Sequence, residues 1–163
     1  MHPTTDQNSS VLLNLLLLLS FIVPAVFFVL TQHNTLKAIR PENRLLSPGL
    51  VWLQFIPFFG QVWQFIVVSR IAGSAVRQRM SFRDDSILGL THEAAAAIGK
   101  QPTLAMGITY CTLEIINLLF LFTTLTSTTQ TIQGFVALAQ IICWIIYWVQ
   151  LGRLKIQLTH PLP

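Results

Sequence analysis

The sequence predicts an all-α integral membrane protein, a helical bundle of three spanning helices plus a re-entrant or Pro-kinked second segment. Three observations carry that prediction. The 163 residues are 53% hydrophobic and only 10% charged, against roughly a quarter charged in soluble domains. The apolar residues gather in four blocks, 11–31, 50–68, 103–126 and 132–151, each near the roughly 20 residues that a spanning helix needs. The second block is interrupted by Pro57 and Gly60, inside the stretch SPGLVWLQFIPFFGQVWQFIVVSR at 47–70. The pieces between blocks are too short to fold alone, since domains below about 40 residues usually need outside help. Residues 1–163 therefore count as one membrane domain.

The polar opening, 1–10, carries no Lys or Arg, which argues against a secretory signal peptide with its basic n-region. The block 11–31 is then a retained helix, with Asn14 one turn inside its start and Pro24 past its centre. Pro24 can kink it, because neighbouring helices re-satisfy the freed carbonyl. A polar connector follows with Lys37, Arg40, Glu42 and Arg44, and Pro41 is an expected break. Ser47 before Pro48 reads as a helix start, serine at the N-cap and proline in the first turn.

Past the central stretch, Ala72, Gly73, Ser74 and Ala75 permit close approach of another helix. Arg77, Arg79 and Arg83 mark the exit into water. The polar loop 81–101 holds Asp84, Asp85 and Glu93, and Thr91 can cap a short helix through Ala97 that ends at Gly99. His92-Glu93 lacks the second histidine of a zinc-protease helix and carries no catalytic assignment. Pro102 opens the third membrane helix, and an uncharged threonine-rich turn at 123–131 leads to the fourth. There Trp144, Tyr147 and Trp148 precede Arg153 and Lys155, the order of an aromatic belt followed by a positive flank.

The net charge of +4 comes from ten Lys and Arg against six Asp and Glu. The basic residues flank apolar segments, which points to topology and lipid-headgroup contact rather than to nucleic acid. If all four segments span, Arg70, Arg77, Arg79, Arg83, Lys100, Arg153 and Lys155 share one side and Lys37, Arg40 and Arg44 the other, seven against three. If the second segment enters and leaves on one face, all ten lie together, with the C-terminus cytoplasmic. A turn between Pro57 and Phe58 places Trp52 opposite Trp63 and Gln54 opposite Gln61. A straight helix aligns the same pairs, since separations of 11 and 7 residues return to nearly the same face. The pattern leaves both alternatives standing, and charge partition favours the hairpin.

Glu114 is the one ionisable residue near the middle of a predicted span, a costly position that marks a functional candidate. Tyr110, Glu114 and Asn117 follow helical spacing and form one polar stripe. Gln54, Gln61, Gln64 and Gln140 are possible partners. One reading makes Glu114 a proton or cation site; the structural reading makes it a protonated carboxyl bonded to glutamines across helices. Gln133 and Gln140, beside Gly134 and Ala137, read as helix packing. The aromatics from Trp52 to Phe65 read as interfacial anchors rather than as a lipid or quinone groove. His2, His33, His92 and His160 have no ligand spacing, and Cys111 and Cys143 fall inside membrane helices. No disulfide framework, metal site or cofactor is expected, and no nucleophile motif supports an enzyme.

The run ENRLLSPGLVWLQFIPFFGQVWQFIVVSRIAGS, with the later GITYC and CWIIYWVQLGRLK, resembles a family of small uncharacterised bacterial membrane proteins of the Bacteroidetes type, a domain of unknown function. The likeness covers about 42–155, and PGLVWLQFIPFFGQVWQF is its most specific part. Asparagine often stands in that family where this chain has Gly60, so no role tied to that side chain carries over. The resemblance implies the helical fold and a bacterial inner-membrane location, and no activity. The expected role is non-catalytic, a scaffold or accessory subunit that homo-oligomerises or joins a larger membrane complex. The alternative is a small transporter or channel using Glu114.

Overall fold

The fold comes from a computed structural model, which describes residues 4–84, 103–120, 122 and 126–159. In chain order it has α1 (Thr4–Ala38), a 3-10 turn (Pro41–Asn43), a 3-10 arm (Pro48–Phe55), α2 (Phe59–Asp84), α3 (Leu104–Phe120) and α4 (Ser127–Thr159). Among the described residues there is no strand. The expected capped helix from Thr91 to Ala97, with His92 and Glu93, lies outside them, as do Asp85, Lys100, Pro102, Thr123, His2 and His160.

Two helices are long and apolar enough to cross a membrane, over Ser9–Ala38 and Ser127–Thr159. Both extend beyond the apolar blocks 11–31 and 132–151 that announce them. Helix α1 runs unbroken through Pro24, and at 35 residues it is about 52 Å long. Helix α3 has 17 residues, about 26 Å, and stops short of the block 103–126. Thr126 begins α4 by accepting the Thr129 backbone N–H on its hydroxyl at 3.3 Å, the N-cap device that satisfies a free helix-start donor.

The second block is not one helix. Pro48–Phe55 winds as a 3-10 arm with Ser47 at the N-cap position but without a side-chain cap bond. Ile56 donates to Leu53 O to end it. Phe58 then takes a left-handed φ of 60°, Phe59 N donates to Pro57 O at 2.7 Å and Gly60 N to Ile56 O at 2.7 Å. The chain reverses there. Trp63 Nε1 donates to Leu50 O at 2.8 Å, although 13 residues of straight helix would hold them about 20 Å apart. At Gly60 a Cβ would stand 2.1 Å from Gln54 O, so the close return of arm on helix requires glycine. The ring pairs that form are Trp52 with Phe55 and His33, and Phe59 with Trp63. The mirrored tryptophans line up in sequence, yet each stacks within its own arm.

One end of the bundle is tightly cross-bonded. Gln78 is buried and its Oε1 accepts from the Arg40 backbone N–H at 2.9 Å and from Asn43 Nδ2 at 3.0 Å. Asn43 also donates to Ser81 Oγ, Leu45 N to Ser74 Oγ, and Arg79 Nη2 to Gln157 Oε1. The small residues at 72–75 thus receive the connector: a Cβ on Gly73 would meet Leu45 Cδ1 at 2.8 Å. The bonded neighbours put the Lys37–Arg44 connector, the basic half of α2 and the end of α4 at the same end.

Replacing Gln78 with leucine is expected to lower stability by about 1–3 kcal/mol, because a buried acceptor serving two donors is lost. Gln78→Glu keeps an acceptor and is expected to lose less. Thermal unfolding in detergent reads both.

The apolar core sits in the same half: Leu36, Ile39, Val51, Val67, Val68, Ile71, Ala75, Tyr147, Leu151 and Leu154 are buried. Phe28 is its aromatic hub, edge-on to Tyr110, Trp144, Tyr147 and Trp148 with ring centroids 5.7–6.1 Å apart. The expected belt is therefore turned inward. Positions 144, 147 and 148 share one helix face, that face meets α1 and α3, and Trp148 Nε1 bonds Thr31 Oγ1 at 2.8 Å.

Candidate functional site

Helix α3 presents Tyr110, Glu114 and Asn117 on the face that meets α2 and α4. The i, i+4, i+7 spacing makes them one column, and the hairpin and α4 bring amides to it. Tyr110, Gln64 and Gln61 are the polar neighbours of the Glu114 carboxyl. Asn117 Nδ2 donates to Gln140 Oε1 on α4. Cys111 lies 3.9 Å from Gln64 Oε1 and Cys143 is half-buried; both thiols are free. Within this column two oxygens are enclosed without a partner, Oε2 of Glu114 and Oδ1 of Asn117.

Gln54 takes a different place from its sequence mirror, Gln61. Its Nε2 donates to Gln32 Oε1 on α1 and to Val51 O, so it ties the 3-10 arm to α1. His33 adds a second tie through Nδ1 to Pro48 O at 2.9 Å. Gln32 is 1% exposed, and nothing in its position at the edge of a polar connector announced a buried amide.

Part of this set borders a cavity of about 620 Å³ between α1, the hairpin, α3 and α4, whereas Gln61 and Asn117 are not among its wall residues. Gln54, Gln64, Tyr110, Glu114 and Gln140 supply its polar wall; α1 supplies Ser20, Phe21, Pro24 and Phe28 opposite them. Phe21 is 74% exposed, so the cavity opens on the apolar flank of the bundle. A volume of this size, mostly apolar with few convergent polar groups, matches the usual form of a small-molecule site, roughly 300–1,000 Å³. The α1 wall was not legible in sequence, where 11–31 reads only as an apolar helix with Pro24 past its centre.

The basic residues stand apart from the cavity. Arg70 and Arg77 on α2 and Arg153 and Lys155 on α4 are exposed, and Arg79 borders a separate groove with Gln150, Arg153 and Gln157. Arg83 continues α2 beyond them. Gly134 and Gln133 do not mark a close helix crossing: a Cβ on Gly134 would meet nothing within 4 Å. The close crossing is at Gly107, where a Cβ would stand 2.4 Å from Val68 Cγ1 and 2.9 Å from Tyr147 Cε2.

Compared with family models, curated proteins and solved structures, the chain matches none of them. The resemblance to small bacterial membrane proteins expected from the central motif therefore gives no family assignment, and the function rests on the geometry.

Proposed function

We propose that the chain is a non-catalytic integral membrane protein with spans at α1, α3 and α4 and a re-entrant hairpin at 48–68. Its role is that of a scaffold or accessory subunit that assembles with a second copy or with a larger membrane complex. The observation that carries assembly is the N-terminal half of α1. Val11, Leu12, Leu13 and Leu15 to Leu19 are each 45–62% exposed, and consecutive residues at 3.6 per turn sweep every side of the helix. Asn14 stands exposed among them. Polar side chains between membrane helices bond one another at about 0.6–2 kcal/mol, and a partner helix against α1 gives the Asn14 amide what the described chain does not.

Purification in mild detergent followed by intact-mass measurement is expected to return a defined oligomer or a co-purifying partner, with Asn14→Leu shifting the population toward single chains. A parent protein that is a solitary monomer removes the assembly reading.

The hairpin reading is supported by the basic residues gathered at one end, which satisfies the positive-inside bias with a cytoplasmic C-terminus. The motif's likeness points to a bacterial inner membrane as the setting. The eight-residue arm is about 16 Å long at 3-10 rise, half of a hydrocarbon core of roughly 30 Å. Cysteines placed at Lys37 and Arg83 are expected to label from the same face in intact cells. Labelling from opposite faces would mean that the segment crosses.

A further inference from the structure

We infer that the cavity beside Glu114 binds a lipophilic ammonium, an amphiphile whose apolar tail enters from the bilayer and whose protonated amine meets the carboxyl. The inference rests on the reading that α1, α3 and α4 lie in a bilayer, and it needs neither assembly nor transport.

Three features select that chemistry. The first is an unmet acceptor. Glu114 is the one ionisable acid or base among the cavity's wall residues other than Tyr110, and its carboxyl has an oxygen, Oε2, enclosed without a partner. A carboxylate taken out of water needs both a counter-charge and hydrogen bonds. The described chain offers the neighbouring amides and phenol but places no Lys or Arg on the cavity wall. An ammonium brings the charge and three N–H donors together.

The second is the amide wall. Gln54 commits its Nε2 to Gln32 and Val51, which leaves its carbonyl oxygen to accept an ammonium N–H, whereas Gln140 and Gln64 accept on their oxygens from Asn117 and Cys111 and keep their own N–H donors.

The third is the aromatic lining. Phe28, Phe55 and Trp144 border the same space, and ring faces attract a cation most strongly where water is excluded. The exposed Phe21 and the neighbouring Pro24 put the mouth on the apolar flank, the side from which a bilayer-dissolved amphiphile arrives.

The test is equilibrium binding of radiolabelled decylammonium to the full chain in lipid nanodiscs, with decanol as the uncharged control and empty nanodiscs as background. One saturable site is expected, which decanol fails to occupy. Glu114→Gln is expected to weaken decylammonium at least tenfold, and Glu114→Asp to retain part of the affinity. Ala137→Phe, which fills the space while leaving the carboxyl, is expected to abolish the site; thermal melts check that each variant is folded.

Binding no greater than that of empty nanodiscs, equal occupancy by decanol, or unchanged affinity in folded Glu114→Gln overturns the inference. Alkaline carbonate treatment of the source membranes separates the two levels. Release of the protein removes the bilayer reading itself, whereas retention without saturable binding removes the ligand site alone.

Discussion

Gly60→Ala is expected to destabilise the protein by about 3 kcal/mol or more, the upper part of the range for forcing atoms into a packed site. The added methyl would lie 2.1 Å from Gln54 O and 2.8 Å from Gln54 C. Both are backbone atoms, so no side-chain rotation makes room. The arm must lift away from α2, and the bond from Trp63 Nε1 to Leu50 O breaks with it.

The sign of this effect separates the two topologies. In a straight helix the same substitution removes a poor helix former and stabilises by about 1 kcal/mol. Thermal unfolding gives the sign. Spin labels at the exposed positions Leu50 and Val62 are expected to broaden one another in the parent and to lose that coupling in the variant. A variant that melts at or above the parent temperature would show that 48–68 does not reverse as described.

Gly107→Leu is expected to have the next largest effect, because α3 crosses α2 and α4 with its backbone against the Val68 and Tyr147 side chains. Val68 and Tyr147 face the glycine and are 1% and 0% exposed, so neither can move into solvent. Even Gly107→Ala is expected to cost about 1–3 kcal/mol, with the gain in helix propensity recovering only part. Combining it with Val68→Ala removes the Cγ1 atom that stands 2.4 Å away. The double mutant is expected to be more stable than the two single losses add to, by about 1 kcal/mol. Strict additivity would place the strain elsewhere.

The parts of the site that were legible are those whose residue type is costly at its depth. Glu114 stood out because a lone acid in an apolar run has few innocent explanations, and helical spacing joined it to Tyr110 and Asn117. Gln64 and Gln61 could be named as neighbours for the same reason. Gln32 and Gln78 could not. Both sit beside polar connectors, where a glutamine normally faces water, and only the return of the chain encloses them. Phe28 was equally silent, since a phenylalanine in a leucine-rich helix gives no sign of its neighbours until α3 and α4 are packed around it.

The all-helical class, the long apolar helices, the break at Pro57 and Gly60, and the grouping of basic residues at segment ends can all be read from the residues alone. Those properties follow from chain-local chemistry: apolar run length, the missing proline N–H, and the cost of placing charge in hydrocarbon. Packing is needed to see which way the chain goes after the break, which face Tyr147 presents, and that α1 closes one side of the Glu114 cavity. Helical periodicity aligns Trp52 with Trp63 and Gln54 with Gln61 in a straight helix and across a turn alike. What breaks that tie is a contact between backbones, Gln54 O against the bare Cα of Gly60, and a contact of that kind leaves no mark in hydropathy.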